Sequence, residues 1–153
     1  MCEGLVKYLG SDEKVPFNEG DEVLHPNGKI FTKVLKKYKD ALRNDKILTE
    51  YTRNHVLRRI EREERLWRKE VRRWGLENIH NILSSPDLIL FDLKGDAILY
   101  CKKRKTDDKE RVVAVVVDAK ERYFIYTVMS LPYPPEGLKT GRYVIIYSVE
   151  EAP

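Results

Sequence analysis

The feature of this sequence best suited to chemistry is a histidine followed by several arginines. His55 lies in an uninterrupted stretch, Thr52–Trp74, that contains neither Pro nor Gly, so nothing in it stops a helix. Arg59 and Arg62 follow one and two helical turns later, and Arg58 borders the same face. A histidine exchanges a proton near neutral pH, whereas arginine is permanently charged and holds an anion. The pattern therefore predicts an anion-binding face with one group that can carry a proton.

Metal-free cleavage of RNA needs little more than such a face and a hydroxyl donor. The 2′-hydroxyl attacks the adjacent phosphate, a base removes its proton, an acid supplies the leaving oxygen, and fixed cations stabilise the extra negative charge. Two predicted strands supply further candidates. Lys102 shares a strand face with Tyr100, and Thr127 lies toward the end of a strand that we expect beside the central one. We interpret His55 as the candidate proton carrier and Arg59 as a phosphate clamp.

The charge distribution favours an anionic polymer as partner. The chain has 153 residues, 35% of them charged, and a formal net charge of +4. The excess peaks in Thr52–Trp74 and in the run Lys102-Lys103-Arg104-Lys105, as in proteins that bind nucleic acid. The abundance of Lys, Arg and Glu is also typical of thermophile proteins. RNA is the expected partner before DNA.

Cysteine content and hydropathy predict a reducing, cytoplasmic location. Cys2 and Cys101 are too far apart in sequence to indicate a disulfide framework or a metal site. No apolar run is long enough to cross a bilayer, and the first residues do not read as a secretion signal. We therefore expect no membrane partner.

Known metal and cofactor motifs are missing from the sequence. There is no HExxH, no phosphate-cradling glycine loop and no Gly-flanked serine nucleophile. We expect no metal and no cofactor. A divalent-metal nuclease built from aspartates at predicted strand ends remains an alternative; these are Asp87, Asp92, Asp96 and Asp118.

The order of elements predicts an α+β fold, with N-terminal helices packed against a four- to five-stranded antiparallel sheet. The predicted helices are Ile30–Leu42, Thr52–Trp74 and, after a break at Gly75, Leu76–Leu83. The predicted strands are Leu88–Phe91, Ala97–Lys103, Arg111–Val117, Tyr123–Met129 and Tyr143–Val149, with a further short one over Asp21–Leu24. The valine-rich run predicts a central strand covered on both faces. We divide the single compact unit into an N-terminal extension, 1–48, and an α+β core, 49–153.

In order and spacing these features resemble the barnase–EndoU–colicin–RelE superfamily of small metal-independent nucleases, in particular its phage- and virus-encoded branch. The resemblance covers roughly residues 49–130. The matching residues read His55-Val-Leu-Arg58-Arg59, Ser85-Pro86-Asp87, Tyr100-Cys-Lys102, Val112–Asp118 and Phe124-Ile-Tyr-Thr127.

The resemblance implies a nuclease that cleaves RNA to leave a cyclic phosphate, in the host cytoplasm for a viral protein. It implies catalytic roles for His55, Arg58 or Arg59, Lys102 and Thr127, of which we take Arg59 as the catalytic arginine. We predict that the nearby basic and aromatic residues contact nucleic acid: Arg58, Arg62, Tyr100, Lys103, Arg104 and Lys105.

Other functions stay open at this point. A protein without catalytic activity would use the same basic residues to bind phosphates, and its affinity would fall steeply with salt. A DNA endonuclease would use a carboxylate such as Glu61 or Glu64. A helical interaction module would pack on another subunit through the outer face of Ile30–Leu42 together with Trp67 and Trp74. A homodimer and an inhibitor protein are further expectations.

Overall fold

The computed structural model describes residues 6–8, 28–120 and 122–149. The predicted α+β class is confirmed. The helices are α1 (Gly28–Leu42), α2 (Glu50–Arg62), α3 (Leu66–Glu77), α4 (Ile79–Ser84) and α5 (Gly137–Thr140). The strands are β1 (Val6–Tyr8), β2 (Lys46–Leu48), β3 (Leu88–Asp92), β4 (Ala97–Thr106), β5 (Lys109–Asp118), β6 (Ile125–Pro132) and β7 (Tyr143–Ser148).

Five antiparallel strands form the main sheet, in the order β6-β5-β4-β3-β7. Strands β3 to β6 follow one another as a meander, because short turns join each strand to its neighbour. The β4–β5 turn carries Asp107 and Asp108 at positive φ, where Asp is better tolerated than most residues. Strand β7 then returns to pair with β3 at the other edge. Strand β1 pairs with β2 in a separate two-stranded sheet.

Strand β5 is buried on both faces, as its run of β-branched residues predicts. Val113, Val115 and Val117 point into a core shared with helices α1 to α4, which we call the helix side. The alternate residues, Val112, Ala114 and Val116, belong to a second cluster on the far side of the sheet. The segment 131–142 covers part of that far side.

The predicted single helix over Thr52–Trp74 is wrong. Helix α2 ends at Arg62 and α3 begins at Leu66, with non-helical backbone at Glu63 and Arg65. Helix α2 packs on β6, whereas α3 lies across β5 and β6. The residues between them are all charged and have nothing to bury, so the chain turns there to let both helices follow the sheet. Tertiary packing outweighs the helix propensity of the segment.

Gly75 is not a helix break, because α3 runs through it to Glu77. A Cβ at this position would collide with Val113 Cγ2 and lie 2.8 Å from Val128 Cγ1. The glycine therefore lets α3 approach the sheet more closely than a side chain would permit.

The N-terminal helix shares the main core. Val34, Tyr38 and Ala41 of α1 are buried in the helix-side cluster. Thr49 caps α2, with its Oγ1 accepting from the Thr52 N–H at 3.1 Å. The predicted strand over Asp21–Leu24 lies outside the described residues. Among the helices that the structure describes, none has the length and apolar character needed to span a bilayer.

Candidate nucleic-acid interface

Two arginines of α3 fasten that helix along the edge strand β6. Arg68 Nη1 donates to the carbonyl of Ser130 at 2.9 Å, and Arg72 Nε donates to the carbonyl of Val128 at 2.9 Å. The two arginines are four residues apart, so they lie on one face of α3 and match alternate residues of the strand. Their charges are thereby held beside the edge of the sheet.

Helix α2 brings His55 to the same place. Burial, Arg59, Arg58 and Arg72 together lower the pKa of His55 below its ordinary value of 6.5. The imidazole is half-buried, and at pH 7 it is predominantly neutral, the form that accepts a proton. Its helix and Arg72 of α3 thus place one proton acceptor among three guanidinium groups.

The arginines at this junction repel one another. Burial and the neighbouring charges of Arg59 and Arg68 lower the pKa of Arg72, with Glu63 acting in the opposite direction. An arginine whose charged form is disfavoured by its neighbours indicates a local excess of positive charge. Such an excess is costly unless an anion is bound.

Stacking on tryptophan extends the positive surface toward the β4–β5 turn. The guanidinium carbons of Arg111 and Arg68 lie 3.8 and 4.6 Å from the centroid of the Trp67 ring. The guanidinium carbon of Arg104 lies 4.1 Å from the centroid of Trp74. These distances permit cation–π attraction, which fixes the arginines without neutralising them.

Arg104 and Arg111 are also direct cross-strand partners on the helix side. Opposed like charges destabilise a sheet, so this pair adds to the local excess of positive charge. Together with α2 and α3 these side chains form what we call the arginine ridge: Arg58, Arg59, Arg62, Arg68, Arg72, Arg104 and Arg111. Within residues 28–120 and 122–149, none of the seven forms an ion pair with a carboxylate.

Lys102 does not join His55. It points to the helix side of β4, where its Nζ donates to the carbonyl of Ser85 at 2.8 Å and lies 3.5 Å from Asp87 Oδ1. The step Ser85-Pro86-Asp87 therefore holds the Lys102 side chain near the start of β3. Its own strand, β4, is two strands from β6, on which α2 packs.

Thr127 lies on the opposite face of the sheet. It pairs with Val116, whose side chain belongs to the far-side cluster, whereas Lys102 pairs with Val113 on the helix side. A bulge between Val116 and Val117 leaves Tyr126 as the extra residue of β6. The predicted catalytic set of His55, Arg59, Lys102 and Thr127 is therefore not assembled, because the packed sheet separates Thr127 from the other three.

A cavity of about 390 Å³ adjoins Thr127 on that far side. Asp92 and Arg142 line it as a bidentate pair, with both nitrogen–oxygen distances 2.8 Å. The backbone N–H groups of Lys94 and Gly95 also donate to Asp92. Although burial raises the pKa of Asp92, these hydrogen bonds outweigh it and bring the pKa below the ordinary value.

Two further residues predicted to contact nucleic acid do not lie on the ridge. The Tyr100 side chain is 2% exposed and belongs to the helix-side core, with Lys46 Nζ 5.8 Å from its ring centroid. Lys103 points to the far side, where its Nζ lies 4.4 Å from the centroid of Tyr133. Strand alternation divides the basic run, so Arg104 faces the ridge while Lys103 and Lys105 do not.

A metal site is not evident in the part of the chain that the structure describes. No group of three or more His, Cys, Asp or Glu side chains lies close enough to hold an ion. The carboxylates of Asp87 and Asp92 are engaged by Lys102 and Arg142.

The ridge includes residues that the sequence reasoning did not single out: Arg68, Arg72 and Arg111. The signal for the first two was their spacing of four residues, beside the face of α3 that carries Val71 and Gly75. Arg111 had no such signal, because its role depends on the register that brings it beside Arg104 and under Trp67.

Comparisons of the chain with protein-family models, with curated proteins and with solved structures find no match. The geometry of the site is therefore the basis for the function proposed next.

Proposed function

We propose that this protein binds nucleic acid through the arginine ridge. The observation that carries the proposal is the clustering of arginines along α2, α3 and the β4–β5 strands without carboxylate partners among the described residues. Phosphates would satisfy these donors and relieve the repulsion between Arg59, Arg68 and Arg72.

The ridge suits a chain of phosphates better than a single small anion. Its members come from four elements, α2, α3, β4 and β5. The cation–π contacts with Trp67 and Trp74 hold several of them in place. Arginine donates in a planar fork that matches phosphate oxygens. Binding releases counterions from the polyanion, so affinity falls as salt rises.

A pair of matched double variants tests the proposal. Arg58 and Arg62 are exposed on the ridge, whereas Arg53 and Arg73 belong to the same helices but line a separate groove beside α4. We expect R58A/R62A to weaken binding of a labelled oligonucleotide. The slope of log affinity against log salt should fall by about 1.4, from roughly 0.7 for each phosphate contact on a single strand.

The control R53A/R73A removes the same charge and should leave both affinity and slope near those of the wild type. Equal losses for the two double variants would show that net charge, and not the ridge, governs binding. Absence of any salt-dependent binding by the wild-type protein would refute the proposal itself.

A second candidate function is metal-independent RNA cleavage at His55, favoured by the position of a neutral imidazole among Arg58, Arg59 and Arg72. The resemblance to barnase–EndoU–colicin–RelE nucleases supports the same chemistry. His55 would take the 2′-hydroxyl proton as that oxygen bonds to phosphorus. The bond to the 5′-oxygen breaks, that oxygen takes a proton from water, and a 2′,3′-cyclic phosphate remains. The arginines would stabilise the charge of the phosphorane.

Incubation of RNA with the protein in EDTA tests this candidate. We expect cyclic-phosphate products from the wild type and from His80→Gln, a control at an exposed histidine of α4. His55→Gln should lower the rate at least about a hundredfold, since general-base catalysis contributes roughly that much or more. Equal rates for the two variants would exclude His55 as the base, and cleavage of DNA only with magnesium would favour a carboxylate-dependent endonuclease.

A further inference from the structure

Tyr51 stands one helical turn before His55 on the exposed side of α2. Its side chain is 76% exposed, the largest value among the described large hydrophobic residues. At about 100° per residue, Tyr51, His55, Arg58 and Arg62 fall within about 60° of one another around the helix. They form one stripe, on which an aromatic ring leads into a row of cations.

We propose, on the basis of the nucleic-acid binding proposed above, that the ridge takes a single strand and that an unpaired base stacks on Tyr51. The phosphates that follow that base along the strand then reach Arg58 and Arg62. An exposed aromatic ring beside a row of cations is the combination that single-strand binding uses, because every base offers a flat face and every nucleotide a phosphate.

The other aromatic residues of this surface are already covered. Arg68 and Arg111 lie against Trp67, and Arg104 lies against Trp74, so guanidinium groups occupy positions that a base would need. Both tryptophans are half-buried, whereas Tyr51 is open to solvent. Tyr51 is therefore the aromatic ring of the ridge that is free to meet a base.

Tyr126 provides a matched comparison within the same molecule. It is 71% exposed, nearly as much as Tyr51. The bulge in β6 turns it to the far side of the sheet, where it lines the cavity with Asp92 and Arg142. Exposure alone is thus similar at the two tyrosines, and their positions relative to the ridge differ.

A stacking platform distinguishes single strands from duplexes. In a duplex the faces of the bases are stacked on one another and closed to a side chain, so contacts are made to phosphates, sugars and base edges instead. Tyr51 should therefore add affinity for single strands alone, whereas Arg58 and Arg62 should add affinity for both forms.

Fluorescence anisotropy with a labelled 12-nucleotide RNA, alone and annealed to its complement, tests the inference. We expect Tyr51→Ala to weaken single-strand binding about tenfold and to leave duplex binding within about twofold of the wild type. Tyr51→Phe keeps the ring and should retain single-strand affinity, and Tyr126→Ala should change neither. Circular dichroism of each variant confirms that α2 is intact.

The outcomes separate the two proposals. If R58A/R62A weakens binding but Tyr51→Ala does not, the ridge stands and the stacking role of Tyr51 is overturned. Equal losses for Tyr51→Ala on single strand and duplex would also overturn it. If the wild type binds neither form, the nucleic-acid binding on which the inference rests has failed first.

Discussion

The arginine ridge and the far side of the main sheet use arginine in opposite ways. On the far side, Arg142 is paired in a bidentate manner with Asp92, and Lys103 lies over Tyr133. On the helix side, Arg68, Arg104 and Arg111 stack on tryptophan, and Arg68 and Arg72 donate to strand carbonyls. No described carboxylate pairs with any ridge arginine. A paired charge stabilises the fold, whereas a cluster of like charges is costly and is better explained by binding.

The largest expected effect comes from disrupting the packing of α3 against the sheet. Gly75→Leu would drive a side chain into Val113 and Val128, where even a Cβ is too close. We expect the free energy of unfolding to fall by about 3 kcal/mol, the upper part of the usual range for overpacking. Urea denaturation measures the effect, and Gly75→Ala, which adds the Cβ alone, should cost less. An unchanged stability of Gly75→Leu would contradict the close contact.

The ion pair on the far side should be the next largest contributor. Asp92→Asn removes the charge that Arg142 and two backbone N–H groups satisfy, at a cost of about 2 kcal/mol. Because the pKa of folded Asp92 is lowered, its contribution is present above the unfolded value of about 3.9 and is lost as pH falls through the folded value. In urea denaturation from pH 7 to pH 2, the free energy of unfolding should fall less steeply with pH for the variant than for the wild type.

The pKa of His55 should report the positive charge of the ridge. Its folded pKa is lowered, so the unfolded chain binds the proton more tightly, and its contribution to stability diminishes as pH falls below about 6.5. An NMR titration of the ring protons should give a pKa below 6.5, and Arg59→Gln should raise that pKa. Arg53→Gln, on another face of α2, should leave the pKa of His55 unchanged. If Arg59→Gln also left it unchanged, His55 would not lie within the electrostatic influence of the ridge.

The smallest expected effect is a gain in stability, opposite in sign to the loss expected for Asp92→Asn. Arg59→Gln relieves repulsion with Arg72, so the free energy of unfolding should rise by about 0.3 kcal/mol at low salt, as for like charges elsewhere. The gain should vanish in high salt, because screening already weakens the repulsion in the wild type. A loss of stability at low salt would mean that Arg59 has a stabilising partner.

The sheet could be predicted from the sequence because its signals are local. The β-branched run of β5 and the turns around it define both a buried strand and its antiparallel neighbours. The break between α2 and α3 could not be predicted from the sequence. Residues 63–65 contain no Pro or Gly, and the turn depends on where each helix packs.

The candidate site was only partly predictable for the same reason. His55, Arg58 and Arg59 lie on one helix, so their spacing was enough to group them. Thr127 depended on the register of β6, where a bulge at Tyr126 determines which face each side chain takes. Tyr100 and Lys103 depended on which neighbours cover each face of β4, which strand alternation alone does not specify.

The hydrogen bonds from α3 to β6 also bear on self-association. A bare strand at the margin of a sheet can recruit a strand from a second molecule and begin fibril growth. At this margin the carbonyls of Ser130 and Val128 already accept from Arg68 and Arg72. These side chains therefore also withhold acceptors from an incoming strand. Neutralising them should favour aggregation as well as weaken the proposed binding of nucleic acid.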